Sequence, residues 1–188
     1  MKKNLIMTIA IFVLSIGSLK SQVVWGVRAG YDFLNGQEYF ADIRYIGNFG
    51  LEVGPVIYYA FNNKFYLNTG IMLGFKIIDE MRYDSWDERY YGKYFSRTSE
   101  FISVNVPLFM GYHYHVMNNI SLFIQAGPFV ESNIRLNRYE GYSNGISAGL
   151  GGMAGINIRR IKIEVGHFVG FSNYLFTDKT TFGVSYTF

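Results

Sequence analysis

The stretch that decides the fold is the last ten residues of the chain, 179–188, KTTFGVSYTF. Small or polar residues alternate there with the apolar residues Phe182, Val184, Tyr186 and Phe188. Successive side chains of a β-strand point to opposite faces. The pattern therefore predicts an extended strand with one apolar face and one small, polar face.

The composition indicates a single domain that differs from a soluble globular protein. The chain has 188 residues, of which 19% are aromatic and 21 are Gly, and both contents are unusual for a globule of this size. After residue 21, no stretch reaches the about 18 to 20 apolar residues of a membrane helix, so any membrane crossing must use strands. The chain has no Cys, which excludes disulfides and thiolate chemistry.

Residues 1–21 have the pattern of a secretory signal peptide. A basic start precedes an apolar run at residues 5–16, and small residues follow it. We predict cleavage before Gln22, and the alternative is an uncleaved anchor, although the run is short for a membrane span. Three of the 17 basic residues lie in this leader, so residues 22–188 carry 14 basic and 14 acidic residues. This balance gives no basic patch for nucleic acid.

Turn signals and alternating apolar positions divide the mature chain into eight predicted strands. The strands span residues 23–33, 49–61, 64–78, 99–115, 120–135, 145–159, 161–171 and 179–188. Short connections at 62–63, 116–119 and 159–160 alternate with long ones at 34–48, 79–98 and 136–144. Outer-membrane barrels have short periplasmic turns and long outer loops. The prediction is an all-β fold, an eight-stranded antiparallel transmembrane up-and-down β-barrel over residues 22–188.

Side-chain parity predicts an apolar outer face and a charged interior. One face carries residues such as Trp25, Leu73 and Met110. The other face carries four basic and four acidic residues: Arg28, Asp32, Glu52, Lys76, Glu131, Arg135, Lys162 and Glu164. Lipid penalises a mid-membrane Arg or Lys by about 2 to 4 kcal/mol, so the charged face must be interior. We predict a structural ion-pair network that plugs the barrel; the alternatives are a proton or small-ion path and a polar-ligand site.

Outward aromatic residues predict two girdles at the membrane interfaces. The predicted lower girdle contains Trp25, Tyr59, Phe61, Phe65, Tyr112, Tyr114, Tyr186 and Phe188. The predicted upper girdle contains Tyr31, Phe33, Phe49, Phe75, Phe101 and Phe171. Three residues inside strands, Pro55, Pro107 and Pro128, predict bulges or wide hydrogen-bond gaps. Strict alternation puts His167 on the lipid face, and a bulge there would change its parity.

Several motifs resemble those of the PorT-like outer-membrane β-barrel family, the outer membrane protein beta-barrel domain group. The strongest match is FISVNVPLFMGYHY at 101–114, and supporting matches are KFYLNTGIMLGF at 64–75, FIQAGPFV at 123–130, GLGGMAGIN at 149–157 and the closing GVSYTF. The resemblance implies residence in the outer membrane of a Gram-negative cell and no catalytic residues. It also implies partners: membrane lipid, the barrel insertion machinery that reads a terminal strand ending in Phe188, and envelope proteins, because some members serve protein export.

Candidate catalytic and metal chemistry is weak. His113 and His115 share one strand face, but sequence places no third metal ligand near them. Catalysis at the barrel rim needs a His on the extracellular side, and the predicted topology leaves that side without one. The G-x-G-x-x-A match at 149–154 lacks a following helix, so Gly149, Gly151 and Gly155 are predicted to make room for Phe129 and Phe168. We predict no enzyme activity, cofactor or metal.

The connection at 79–98 has the composition best suited to recognition. It combines both charge signs with six aromatic residues: Tyr83, Trp86, Tyr90, Tyr91, Tyr94 and Phe95. Aromatic side chains supply contact area at little entropic cost. The alternative is that the flanking strands extend beyond the membrane and these aromatics pack on each other.

The sequence as a whole predicts a non-enzymatic integral outer-membrane barrel, plugged by its own side chains, with surface recognition through its outer loops. One alternative is a component of an outer-membrane protein export or envelope assembly. A second alternative is a narrow porin-like channel.

Overall fold

The computed structural model describes residues 22–34, 38–39, 43–83, 94–136, 145–171 and 178–188. These ranges form ten strands: β1 (Gln22–Leu34), β2 (Glu38–Tyr39), β3 (Ile43–Ala60), β4 (Phe65–Gly70), β5 (Met72–Tyr83), β6 (Tyr94–Met117), β7 (Ile120–Arg135), β8 (Gly145–Ile158), β9 (Ile161–Gly170) and β10 (Lys179–Thr187). No helix in these ranges is long and apolar enough to cross a membrane.

The strands close into an antiparallel ring. β1 pairs with β10 on one side and with β3 on the other, and the order continues through β9, β8, β7 and β6. β4 and β5 are two parts of one strand interrupted at Ile71, and both pair with β3 and β6. The two residues of β2 pair only with the start of β3. Eight strands therefore form the ring, which confirms the predicted fold class.

Two strands are longer than the sequence pattern predicted. β3 begins at Ile43 and β6 begins at Tyr94, whereas alternation predicted starts at residues 49 and 99. Both extensions lie where a long connection was expected, and both are paired, since Ile43 lies opposite Arg82 and Tyr94 lies opposite Tyr83. Backbone pairing thus continues beyond the apolar pattern.

Three short connections join β3 to β4, β6 to β7 and β8 to β9, as predicted. At the first, the Asn62 side-chain Oδ1 accepts hydrogen bonds of 2.8 Å from the backbone N–H groups of Lys64 and Phe65. At the third, Arg159 has a positive φ of 57°, which closes the two-residue turn. All three turns, the start of β1 and the end of β10 lie at one end of the ring, called here the short-turn end.

Exposure alternates along the strands as the parity predicted. Trp25, Leu73 and Met110 are each 56% exposed, whereas Arg28 and Lys76 are 6% and 1% exposed. The apolar side chains therefore cover the outside of the ring and the charged side chains lie inside.

Glycine residues on β8 leave room for aromatic rings inside the ring. A Cβ on Gly149 would lie 2.7 Å from the Phe129 ring, and a Cβ on Gly151 would lie 2.8 Å from the Phe168 ring. Both predicted partners are therefore confirmed. Gly155 instead makes room for Phe123, whose ring would lie 2.8 Å from an added Cβ. A buried cluster results, made of Phe109, Phe129, Met153 and Phe168.

The structure corrects the prediction for Phe101. Phe101 is only 2% exposed, so it does not belong to the upper girdle. The odd-numbered residues of β6 point inward in this part of the strand, and Ile102 is the neighbour that points out. Phe101 was assigned to the girdle because it is aromatic, although strand parity directs its side chain inward.

The three prolines interrupt the ladder without a bulge. The register between β3 and the β4–β5 strand is unshifted across Pro55, because Val53 lies opposite Leu73 and Val56 lies opposite Gly70. Register is also unshifted from the Pro107–Phe129 pair to the Met110–Ala126 pair, a gap that includes Pro128. The wide gaps are as predicted. The register shifts lie elsewhere, between Gly47 and Gly50 and between His115 and Met117.

Close packing at Gly111 makes a testable prediction. A Cβ on Gly111 would overlap the ring of the buried Tyr66, whereas a Cβ on Gly152 would have its nearest neighbour, the Gln125 carbonyl oxygen, at 3.9 Å. We expect Gly111→Ala to lower the free energy of unfolding by about 1 to 3 kcal/mol through overpacking. Urea unfolding in detergent micelles measures it.

Gly152→Ala is the matched control and should stay within about 0.5 kcal/mol of the wild type. Equal stability of the two variants would show that Tyr66 does not occupy the space over Gly111.

Candidate functional site

The interior charges meet above the small, polar face of β10. Gly183 lies opposite Glu164 of β9 and Gly30 of β1. A Cβ on Gly183 would lie 2.9 Å from Glu164 Oε1 and 3.0 Å from Arg28 Nη2. The small face therefore leaves space in which side chains from the two neighbouring strands can reach each other.

Arg28 bridges two carboxylates through this space. Its Nη1 donates a hydrogen bond to Glu52 Oε1 of β3, and its Nε donates to Glu164 Oε1 of β9. All three side chains are buried. Charge-assisted hydrogen bonds of this kind are the strongest that a side chain makes, so Arg28 joins three strands.

Lys179 is the second centre of the network, and the sequence analysis missed it. Its Nζ lies 2.7 Å from Asp32 Oδ2, 3.1 Å from Glu52 Oε2 and 3.4 Å from Glu131 Oε2. Thr181 Oγ1 donates a 2.5 Å hydrogen bond to Asp32 Oδ1. The signal was present, because Lys179 has the same parity as the inward residues of the closing strand.

Two further cations complete the web. Lys76 donates to Glu131 Oε1, which also accepts a 3.0 Å hydrogen bond from Asn133 Nδ2. Lys162 lies 3.4 Å from Glu164 Oε2 and donates a 3.1 Å hydrogen bond to Gln125 Oε1.

Lys162 also faces three aromatic rings. Its Nζ lies 3.9 Å from the ring centroid of Phe123, 4.9 Å from that of Tyr58 and 5.5 Å from that of Tyr66. These distances are within the range of cation–π attraction. At the short-turn end, the network therefore finishes with a cation that lies among three aromatic rings.

Arg135 lies away from these pairs, towards the other end of the ring. Its Nη2 donates to Ser99 Oγ, and its guanidinium carbon lies 5.8 Å from the Phe101 ring centroid. The other seven side chains of the predicted set are connected to one another through Glu52, Glu131, Glu164 and the added Lys179. Within that web four cations face four carboxylates, so the buried charges balance.

The chemistry of this web is electrostatic. A buried charge is costly to desolvate unless it has a partner, and removal of one partner leaves the other charge uncompensated. Because every ion pair of the web except Lys162–Glu164 joins two different strands, the web constrains strand register. In the described ranges, no group of three His, Asp or Glu side chains could hold a metal ion.

His113 and His115 occupy the short-turn end of β6. The His113 ring stacks on Tyr66 with centroids 4.2 Å apart, and its Nδ1 accepts a 3.0 Å hydrogen bond from Asn157 Nδ2. His115 Nε2 donates a 2.8 Å hydrogen bond to the Asn63 carbonyl oxygen.

The expectation that the opposite end lacks His was wrong. His167 is exposed on the outer face near the start of β10, and β9 has no bulge that would turn it inward. Its Nδ1 lies 3.2 Å from Thr180 Oγ1, and its Nε2 lies 3.4 Å from Asp178 Oδ1. Acyl transfer would also need hydrogen-bond donors that converge on an oxyanion. Thr180 and His167 instead lie opposite each other within a regular antiparallel strand pair.

A further motif escaped the sequence analysis. Residues 145–149, GISAG, match the pattern G-x-S-x-G, which on a hydrolase nucleophile elbow exposes its Ser at a turn between a strand and a helix. Here Ser147 lies within β8, is 2% exposed and donates a 3.3 Å hydrogen bond to the Glu131 carbonyl oxygen. The motif is therefore part of a regular strand and does not form a nucleophile elbow.

The aromatic connection at 79–98 is only partly described. The backbones of β5 and β6 remain paired as far as Tyr83 and Tyr94, so the flanking strands extend as the alternative prediction stated. The side chains of the six candidate residues, Tyr83, Trp86, Tyr90, Tyr91, Tyr94 and Phe95, lie outside the described residues.

Comparisons with known proteins bear on the fold. No family model matches the chain. No curated protein matches it either. Among solved structures, the chain is similar to Neisserial surface protein A, NspA, at 12% identity and a TM-score of 0.52, over 89% of this chain and 99% of that one.

Two further solved structures are similar. One is the N-terminal β-barrel domain of Pseudomonas aeruginosa OprF, with 13% identity, a TM-score of 0.47, and 90% of this chain and 100% of that chain covered. The other is the attachment invasion locus protein Ail of Yersinia pestis, with 12% identity, a TM-score of 0.47, and the same coverages. The likeness to NspA concerns the fold, and this chain has the fold of an eight-stranded outer-membrane β-barrel.

The position of Lys179 makes a testable prediction. Lys179→Met would leave three buried carboxylates without one of their cations, so we expect the free energy of unfolding to fall by about 3 to 5 kcal/mol. Adding Asp32→Asn should restore part of this loss, because Asp32 depends on Lys179 for its ion pair. Urea unfolding of the three proteins in micelles measures both effects.

The exposed Lys64 provides the matched control, and Lys64→Met should change stability by no more than about 0.5 kcal/mol. A Lys179→Met protein as stable as this control would contradict the assigned role.

Proposed function

We propose that this protein is an integral β-barrel of the outer membrane of a Gram-negative bacterium, exported with a cleaved signal peptide. The observation that carries the proposal is a continuous apolar belt. Every strand of the ring contributes a side chain that is about half exposed, namely Trp25, Leu51, Leu73, Met110, Ile124, Leu150, Ile163 and Val184. A soluble protein rarely exposes an apolar patch of more than a few hundred Å², so lipid is the solvent that fits this surface.

The belt has the height that a membrane requires. Trp25 and Phe33 are eight residues apart on the outer face of β1. At about 3.3 Å per residue and a tilt of about 40°, they are separated by about 20 Å along the barrel axis, close to the apolar band of about 25 Å in known barrels. Aromatic pairs border the belt, with Phe33 on Phe182 at one edge and Tyr186 on Phe188 at the other.

The short-turn end is proposed to face the periplasm. Barrels of this kind have short periplasmic turns and longer outer loops, and the three short turns of this chain lie at one end together with the start of β1 and the end of β10. The closing strand, ending in Phe188, would then present its last residues at the periplasmic end, where we propose that the barrel insertion machinery reads them. The order of the sequence motifs supports membership of the PorT-like family as the finer assignment.

The interior is proposed to be closed by its own side chains. An eight-stranded barrel has an interior just wide enough for side chains. The balanced ion pairs join residues of β1, β3, β5, β7, β9 and β10. The buried rings of Phe109, Phe129 and Phe168 pack beside them from β6, β7 and β9. This packing supports a non-enzymatic protein without a wide pore, whose recognition of surface partners would fall to its outer loops.

Conductance tests the closed interior. We expect the wild-type protein, inserted into planar lipid bilayers in concentrated KCl, to give no large, steady single-channel steps, because rings and ion pairs block the lumen. Combining Phe109→Ala with Phe168→Ala removes two of the rings and should raise the conductance relative to the wild type.

Val130→Ala serves as the control, since Val130 is 49% exposed on the outer face and its truncation should leave the conductance unchanged. Large, steady steps from the wild-type barrel would overturn the closed interior and favour the channel alternative.

A further inference from the structure

The mouth of the barrel at the short-turn end contains a cavity of about 450 Å³. All eight strands of the ring contribute residues near its rim, and Lys162 and Tyr66 lie at its inner end, next to the charge network. Sites for small molecules commonly have volumes of about 300 to 1,000 Å³. The cavity is therefore large enough for a ligand, and it opens to the solvent at the end of the ring proposed to be periplasmic.

The lining of this cavity is basic. Arg159, Arg160 and Lys162 contribute to it, together with His113 and Asn157. None of the described residues that line it is an Asp or a Glu. Lys162 has a carboxylate partner behind it in Glu164, whereas no described carboxylate lies within ion-pair distance of either arginine. Two guanidinium charges at the mouth are thus available to an anion from outside.

The two arginines are presented from a fixed backbone. The Arg159 N–H donates a 2.9 Å hydrogen bond to the Asn119 carbonyl oxygen of the neighbouring turn, and the Arg160 carbonyl oxygen accepts a 2.9 Å hydrogen bond from the Thr187 N–H. Binding a ligand would therefore not require the turn itself to become ordered, which is a cost that weakens flexible sites.

The choice of Arg at position 159 is not explained by the fold. Arg159 has a φ of 57°, a conformation that Gly or Asn adopts more easily and that costs other residues about 1 to 2 kcal/mol. Residues kept in such conformations cluster at binding and catalytic sites. A guanidinium group held there against this cost points to a use for its charge.

We propose that this cavity binds a small phosphate-bearing molecule, with Arg159 and Arg160 contacting the phosphate. The planar guanidinium fork matches phosphate oxygens with two parallel hydrogen bonds, and the two turn arginines offer charge for a dianion. The hydroxyl group of Ser121, which accepts a 3.1 Å hydrogen bond from Asn157 Nδ2, keeps its own proton for a further polar contact, while the Tyr66–His113 stack bounds the body of the ligand. A soluble phosphate ester and a phosphorylated lipid headgroup share this chemistry.

Calorimetric titration tests the proposal. The full mature chain is placed in maltoside micelles, which carry no phosphate, and titrated separately with phenyl phosphate and with a short-chain phosphatidic acid. We expect saturable binding of at least one probe with one site per chain. The stronger probe identifies the source, a soluble ester or a lipid headgroup, and either result supports the site.

A double variant connects binding to the cavity. Arg159→Asn with Arg160→Gln should weaken binding at least about tenfold, since it removes both charge-assisted contacts. Lys64→Gln removes a positive charge from the short turn between β3 and β4, outside the cavity lining, and should bind as the wild type does. The mobility shift of the folded barrel on unheated gels verifies that each variant is folded.

Nuclear magnetic resonance supplies the location. Saturating probe should shift the amide resonances of residues such as Asn157 and His113 and leave those at the opposite end of the ring unchanged. The proposal is overturned if neither probe saturates, if the double variant binds as tightly as the wild type, or if the shifted resonances lie outside the cavity. None of these results would bear on membrane residence or on the closed lumen.

Discussion

The structure depends on ion pairs that cross the seam where the ring closes. β1 and β10 are the two strands furthest apart in the described sequence, and their pairing converts an open sheet into a ring. Arg28 reaches from β1 to β3 and β9, and Lys179 reaches from β10 to β1, β3 and β7. Buried charges are stable only with their partners in place, so the same contacts that satisfy these charges also hold the seam in register.

The small face of the closing strand makes these contacts possible. Thr181, Gly183 and Ser185 point into the lumen, where larger side chains would separate Arg28 from Glu164. Two strands further round the ring, the glycines of β8 make the same kind of space for aromatic rings. The lumen therefore holds an ion-pair web and, in contact with it, a cluster of aromatic rings, each packed over a strand that carries small residues. The outer surface is left to the apolar side chains.

Strand parity and turn chemistry made most of the fold predictable from the sequence. Alternation in residues 179–188 and at the equivalent positions of the other strands distinguishes the two faces, and Asn62 and the paired arginines at 159–160 indicate the short turns. The error at Phe101 arose because residue type was weighted above parity. The extensions of β3 and β6 were missed because residues 43–48 and 94–98 lack the regular apolar alternation from which the strands were predicted.

The candidate site was less predictable because its members meet only in three dimensions. Parity assigned Arg28, Glu52 and Lys76 to the interior, but no spacing in the sequence states that Arg28 contacts Glu164 across β10. Lys179 was overlooked because it is the first residue of β10, although strand parity directs its side chain inward. Arg159 and Arg160 appeared only as turn residues, because the cavity they line is formed by strands from the whole length of the chain.

The central claim is that the apolar face contacts lipid and the charged face does not. The chain has no native Cys, so nitroxide labels can be placed one at a time along β7 of the protein in lipid bilayers. At Ile124 and Val130 the account predicts high collision rates with oxygen and low rates with a water-soluble nickel complex, and at Phe123 and Gln125 it predicts low rates with both. Higher accessibility to the nickel complex than to oxygen at Ile124 and Val130, or no alternation along the strand, would contradict it.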